Sequence, residues 1–241
     1  CTYNVASVSK IYCTAAVMVL VQRGLIDLDT PVVEYVPEFT MLDEDYKKIT
    51  VRHLLNHASG LPGTQWKGFS VTALTERDYD EEVLNYLANS HLKAKPGEYS
   101  VYCNDGFTLA EIVVARVSGQ RYSDFLRENI TGPIQADSTR TIEDRNPDFP
   151  LVHEKAKPAE LLLVEGAGGL TTSMIDLCKF GQLFLSENPI LSEASKQEMA
   201  KPQGVSFLAQ DQKSPSYGLG WDTVCFSDPD FDLGEGVLRK G

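Results

Sequence analysis

Positive charge is scarce in this 241-residue chain: 22 Lys and Arg stand against 34 Asp and Glu, a formal net charge of −12. That deficit disfavours nucleic-acid binding, which requires Lys and Arg to neutralise phosphates, and also disfavours adsorption to anionic membranes. A small-molecule or peptide substrate is the expected partner. Cysteine is sparse and scattered; Cys1, Cys13, Cys103, Cys178 and Cys225 are odd in number, show none of the paired spacings of zinc sites, and read as free thiols. No apolar run is long enough to span a membrane: Ile11 to Val21, flanked by Lys10 and Arg23, covers about half the necessary length and is expected to be a buried helix. Repeats, low-complexity tracts and a linker between independent domains are lacking too. His53 and His57 lie four apart but without the Glu of an H-E-x-x-H motif, so neither metal nor cofactor is expected. The chain opens on Cys with no cationic leader, and the expectation is a single domain cut at both ends.

What is present suffices for a core, with 42% hydrophobic and 23% charged residues. Apolar residues on every face from Val8 to Val21, stopped by Gly24, predict a helix buried all round with Ser7 at its N-terminus. Thr30 and Pro31 then open a short helix that Pro37 ends, and Thr50 caps another running towards Gly60. An amphipathic helix is expected over 80–90, closed by the turn "KPG" at 95–97, and an apolar one from about Gly106 to Val117 before Gly119. A further helix starts at Tyr122 or Ser123 and ends near "GPI". The Pro- and charge-rich segment 140–165 is expected to cross the surface, and a helix starts near Ser173. Strands are expected only in the last 25 or so residues. The fold class is therefore α+β: a mainly helical part over about 25–170 and the first strands of a C-terminal sheet over about 200–241.

Ser7 and Lys10 form an S-x-x-K pair at the head of the first helix. With 17 Ser and 13 Lys, chance supplies roughly one such pair, and a second does occur as Ser90 and Lys93 at a polar helix end. Residues three apart share a helix face, so a lysine amine can reach back to the serine hydroxyl. Serine is a poor nucleophile until a base takes its proton, and lysine is a base only when neutral. At an ordinary pKa of about 10.4, keeping a lysine neutral at pH 7 costs roughly 4.6 kcal/mol; an apolar surround works in the required direction. The alternative is structural, with Ser7 capping the helix and Lys10 snorkelling to solvent. Tyr102-x-Asn104, the only Y-x-N in the chain, precedes a second apolar helix. A phenol can relay a proton and an amide can both donate and accept; equally, Tyr102 could fill a core gap and Asn104 cap the helix. "NIT" at 129–131 fits a glycosylation acceptor and carries little weight.

In order and spacing, "ASVSK", "LDTPVVEYVPEF", "VRHLLNHASGLPG", "KPGEYSVYCNDGFTLAEIVVARVSG", "GAGGLTTSMIDLCKFGQLFL" and "YGLGW" resemble the beta-lactamase-related serine hydrolases. That group contains class C beta-lactamases, D-alanyl-D-alanine carboxypeptidases and related esterases. The resemblance implies a helical subdomain beside a sheet-containing domain, with the site between them. It also implies that Ser7 attacks a carbonyl to give an acyl-enzyme, that Lys10 and Tyr102 manage its proton, and that Asn104 holds Lys10 and the substrate amide. The oxyanion would be held by the Ser7 N–H and by a donor from an edge strand. Lys240 and Gly241 could be the first two residues of the third family motif, which makes Lys240 a candidate substrate-binding residue, or equally a strand terminus with a solvent lysine. Tyr at 102 resembles the class C branch, and Cys103 stands where the family often has Ser. From a different functional class, a binding or sensor module that acylates without turnover, or an inactive fragment, would carry the same motifs.

Overall fold

The computed structural model describes residues 1–71, 78–142, 161–205 and 217–222. Cys225, Lys240 and most of the expected C-terminal strand region lie outside them; the described part of that region, 200–205 and 217–222, contains no strand.

The first helix, α1 (Ser9–Gln22), is the axis of the molecule, and every residue from Ser9 to Leu20 is buried. A helix with no polar face must be covered on all sides. Here α4 (Asn104–Ser118), α5 (Tyr122–Leu126), α7 (Glu193–Ala200) and a glycine-rich turn, Glu165–Gly169, pack around it. From α6 (Met174–Leu185), Phe180 stacks on Tyr12 with ring centroids 3.5 Å apart. The "YGLGW" segment crosses the same helix, and Gly220 is required there. Its N–H donates to Leu55 O, its φ is +74°, and a Cβ would lie 2.3 Å from Thr14 Oγ1.

Two helices pack on α4 from outside: α2 (Val51–Leu55), which the Thr50 side chain caps in a reciprocal box with His53, and α3 (Tyr79–Ala88), capped by Asp78. α2 is shorter than the sequence suggests. It stops at Asn56 because His57 takes a left-handed backbone, φ +62°, and turns the chain away well before Gly60. The expected Pro31 start is also displaced. Pro31 is extended, ψ 139°, and bridges to Thr50, so only Val32–Glu34 make a helical turn. α4 begins two residues earlier than expected, at Asn104, and α5 runs on into a wider turn, Arg127–Thr131.

Contrary to the expectation of strands only at the C-terminus, four two-residue strands among the described residues form two antiparallel pairs. β1 (Tyr3–Asn4) lies beside β4 (Thr171–Thr172), with Tyr3 opposite Thr172. β2 (Ser70–Val71) lies beside β3 (Leu161–Leu162), with Ser70 opposite Leu162. Strands this short have no alternation for the sequence to reveal. Nor does the end of segment 140–165 stay at the surface: Leu161, Leu163, Val164 and Glu165 are buried where β3 leads into the glycine-rich turn.

Candidate active site

Ser7 sits in a tight turn, Ala6–Val8, that feeds α1, and its side chain caps neither element. The turn is held in a conformation that L-residues avoid. Ala6 has φ +44°, an arrangement that persists only where neighbours over-determine it. They do so from both sides. Asn4 accepts from the Ala6 N–H at 2.8 Å and donates to Gly168 O at 3.1 Å. Ser9 Oγ donates to Ala6 O and accepts from the Leu170 N–H, at 2.7 and 3.1 Å. The turn bearing Ser7 is thereby stitched to the strand–turn unit 165–172.

Lys10, the second residue of α1, has no exposed surface, so the snorkelling alternative does not describe it. Its Nζ donates to Ser7 Oγ at 3.2 Å, to Asn104 Oδ1 at 2.7 Å and to Ala167 O at 2.6 Å. Tyr102 Oη also donates to Ser7 Oγ, and the Lys10 amine lies 4.7 Å from the centroid of the Tyr102 ring. Four side chains separated by up to 97 positions, Ser7, Lys10, Tyr102 and Asn104, are thus in one cluster, with Ser7 Oγ receiving both the amine and the phenol. Asn104 owes its position to being the first residue of α4. From there its Nδ2 donates to Thr64 Oγ1 at 3.0 Å, tying the loop after Gly60 to the cluster. Asp105 reinforces that loop by accepting from the Gln65 N–H at 2.7 Å; burial holds its carboxyl above the usual range. Lys240 lies outside the described residues. Ser90, of the second S-x-x-K pair, donates to Tyr86 O at the end of α3.

Three participants carry no motif in the sequence. Ala167 contributes only its carbonyl. Thr64 is one polar residue in a loop of several. Glu111 is fully within α4, where it accepts from the Gly166 N–H and so steadies the turn that presents Ala167 O to Lys10. Burial first, then the nearby Asp80 and Glu165 carboxylates, push its carboxyl well above the usual range. A lone Glu inside "LAEIVVARV" was the available signal. His53 and His57 do not share a helix face, because the chain reverses at His57. His53 closes the α2 capping box, and the His57 ring lies 4.6 Å from the Tyr102 ring. Asn129 accepts from Arg23 and donates to Phe125 O within the turn that follows α5. Among the described cysteines, Cys1, Cys13, Cys103 and Cys178 are free thiols.

The family model described as Beta-lactamase matches residues 2–233. The chain belongs to the beta-lactamase family. Among relatives, penicillin-binding protein 4* of Bacillus subtilis (strain 168) is 24% identical over 242 residues, covering 91% of this chain and 51% of its own length. D-alanyl-D-alanine-carboxypeptidase/endopeptidase AmpH of Escherichia coli (strain K12) is 27% identical over 229 residues, with 90% and 60% covered. The chain thus spans about half to three-fifths of the length of these relatives. Among solved structures, the D-amino acid amidase from Ochrobactrum anthropi SV3 superposes with a TM-score of 0.72 at 24% identity, over 91% of this chain and 67% of that one. The octameric penicillin-binding protein homologue from Pyrococcus abyssi gives 0.70 at 24%, over 91% and 53%. The fold is therefore the α+β beta-lactamase/transpeptidase-like fold, and the family is one of hydrolases. Among the described residues, no helix is long and apolar enough to cross a membrane.

Proposed function

We propose that this member of the beta-lactamase family is a serine hydrolase working through an acyl-enzyme on Ser7. The observation that carries the reading is the convergence of Lys10 Nζ and Tyr102 Oη on Ser7 Oγ. Serine needs a proton acceptor to attack a carbonyl, and a leaving group needs a donor; an amine and a phenol on the same oxygen can provide both in turn. Ser7 Oγ bonds to the carbonyl carbon while its proton passes into the Lys10–Tyr102 pair. The tetrahedral intermediate then collapses, the bond to the leaving group breaks, and the pair returns the proton to that group. Water repeats the sequence on the acyl-enzyme, releasing the acid and restoring the Ser7 hydroxyl. Asn104 and Ala167 hold the Lys10 amine in place, and the Ser7 N–H supplies one oxyanion donor. Lys240 is retained as a candidate substrate contact.

The substrate class is an amide or ester: a β-lactam, a D-amino-acid peptide or a simple ester. The names of the relatives, a penicillin-binding protein, a D-alanyl-D-alanine carboxypeptidase and a D-amino acid amidase, support the amide part of that range. The site is inferred to lie between a mainly helical part over about 25–170 and a sheet-bearing part that begins over about 200–241. Ser7→Ala in the intact protein is expected to abolish hydrolysis of nitrocefin and of p-nitrophenyl esters, whichever the wild type turns over. Unchanged turnover would overturn the proposal. A stable Ser7 adduct without product release would identify a module that acylates but does not turn over.

A further inference from the structure

His57 does not touch Ser7 in any of the contacts described above, yet it holds the peptide that carries Tyr102 from both sides. Its main-chain carbonyl accepts from the Val101 N–H at 2.9 Å, and its ring Nδ1 accepts from the Cys103 N–H at 3.1 Å. Between these two bonds its ring lies against the Tyr102 ring, centroids 4.6 Å apart and planes 30° from parallel. Phe107 at 5.2 Å and Tyr217 at 4.8 Å wall the imidazole in, and only 2% of the residue is exposed. An acceptor role requires a lone pair on Nδ1, so the neutral ring carries its proton on Nε2, the nitrogen 3.9 Å from Asp222 Oδ1.

The backbone shows what this arrangement demands. His57 adopts φ +62°, which is uncommon for a residue other than glycine and turns its carbonyl and its ring towards the same peptide. A helix continuing from α2 would send the carbonyl along the axis and the ring elsewhere. We propose that His57 is a positioning residue for Tyr102: a two-point clamp on the flanking Val101 and Cys103 amides that holds the phenol at Ser7 Oγ. The inference rests on the proposed role of Tyr102 in proton transfer. It does not make His57 the base for Ser7, since the lone-pair nitrogen is committed to a backbone amide.

The test uses His57→Gly and His57→Asn in the intact protein, because both residues tolerate the left-handed backbone and only Asn can restore an acceptor near the Nδ1 position. The readout is the rate at which a fluorophosphonate labels Ser7: the Ser7 Oγ–P bond forms, the P–F bond breaks, and the serine proton leaves through the base. His57→Gly is expected to slow labelling by about 10- to 100-fold, the scale expected when a catalytic group is misplaced by about an ångström. His57→Asn is expected to recover most of that loss. In a Tyr102→Phe background His57→Gly should cost less than about twofold, since a clamp has nothing to position once the phenol is gone. A general loss of folding would slow both backgrounds alike.

Labelling at the wild-type rate in His57→Gly, equal losses in both backgrounds, or no recovery with Asn would each overturn the clamp. If Tyr102→Phe alone labels at the wild-type rate, it is the role of Tyr102 that fails. Should the Gly variant not fold, nitrogen-15 NMR of the wild-type imidazoles decides the matter. An unprotonated Nδ1 with a protonated Nε2 at pH 7 is expected for His57, and a proton on Nδ1 would contradict the clamp.

Discussion

Lys10→Met separates activity from stability. Methionine keeps an unbranched stem of similar volume in a site with no exposed surface, but it has no hydrogen-bond donor. Ala167 O and Asn104 Oδ1 lose donors at 2.6 and 2.7 Å. Each buried acceptor left unsatisfied costs about 1–3 kcal/mol, so about 2–6 kcal/mol together. Ser7 Oγ keeps Tyr102 as a donor. On the other side, folding no longer removes an amine from water, which for an ion costs several kcal/mol even after relaxation. The two contributions offset to within roughly 3 kcal/mol, about 6–12 °C in Tm at 2–4 °C per kcal/mol for a chain of this size. Activity has no such compensation, because removing the proposed base forfeits about 10²–10⁴ in rate. Thermal melting and steady-state hydrolysis of a p-nitrophenyl ester, measured on the same preparation, give both numbers. A kcat within tenfold of wild type, or a Tm lowered by more than about 15 °C, would instead make Lys10 a structural residue.

Two further outcomes follow from the same packing. The Glu111 carboxyl is held well above its ordinary value of 4.5, so it favours folding most below that pH, and its contribution declines as pH rises towards the folded-state value. Glutamine keeps an acceptor for the Gly166 N–H but cannot titrate; the Tm of Glu111→Gln relative to wild type should therefore increase from pH 5 to pH 8, and a constant or shrinking difference would show that the carboxyl is not held neutral. Gly60→Ala would place a Cβ 2.2 Å from Ala94 O at φ +74°. Left-handed strain and overpacking together should cost about 2–5 kcal/mol, about 4–20 °C in Tm, and a melt within 2 °C of wild type would mean that the loop at 94 moves aside freely.

The parts of the site legible in the sequence are those set by short-range geometry. Ser7 and Lys10 are three apart where the tight turn Ala6–Val8 runs into an apolar helix, a local separation that lets the amine reach back to the hydroxyl. Tyr102 and Asn104 were recognisable from their motif and from the family resemblance. Their contact with Ser7 and Lys10 across more than 90 positions depends on α4 packing against α1, which no local pattern encodes. Ala167 was invisible because a backbone carbonyl leaves no residue-type signal. The two strand pairs were missed for a related reason: with two residues per strand, pairing between Tyr3 and Thr172 is decided by the packing of the Ser7 turn rather than by alternation. His57 was read as half of an i, i+4 histidine pair, a reading that assumed the helix continued. The positive φ that ends α2 separated the pair and gave His57 a different neighbour.

Ser7 is the proposed nucleophile, and covalent labelling of the intact protein tests that assignment. Fluorophosphonate treatment followed by intact-mass analysis and peptide mapping should show one phosphonyl group per chain, on the peptide carrying Ser7, and none in Ser7→Ala. Absence of an adduct on the wild type, or equal labelling of Ser7→Ala, would contradict it.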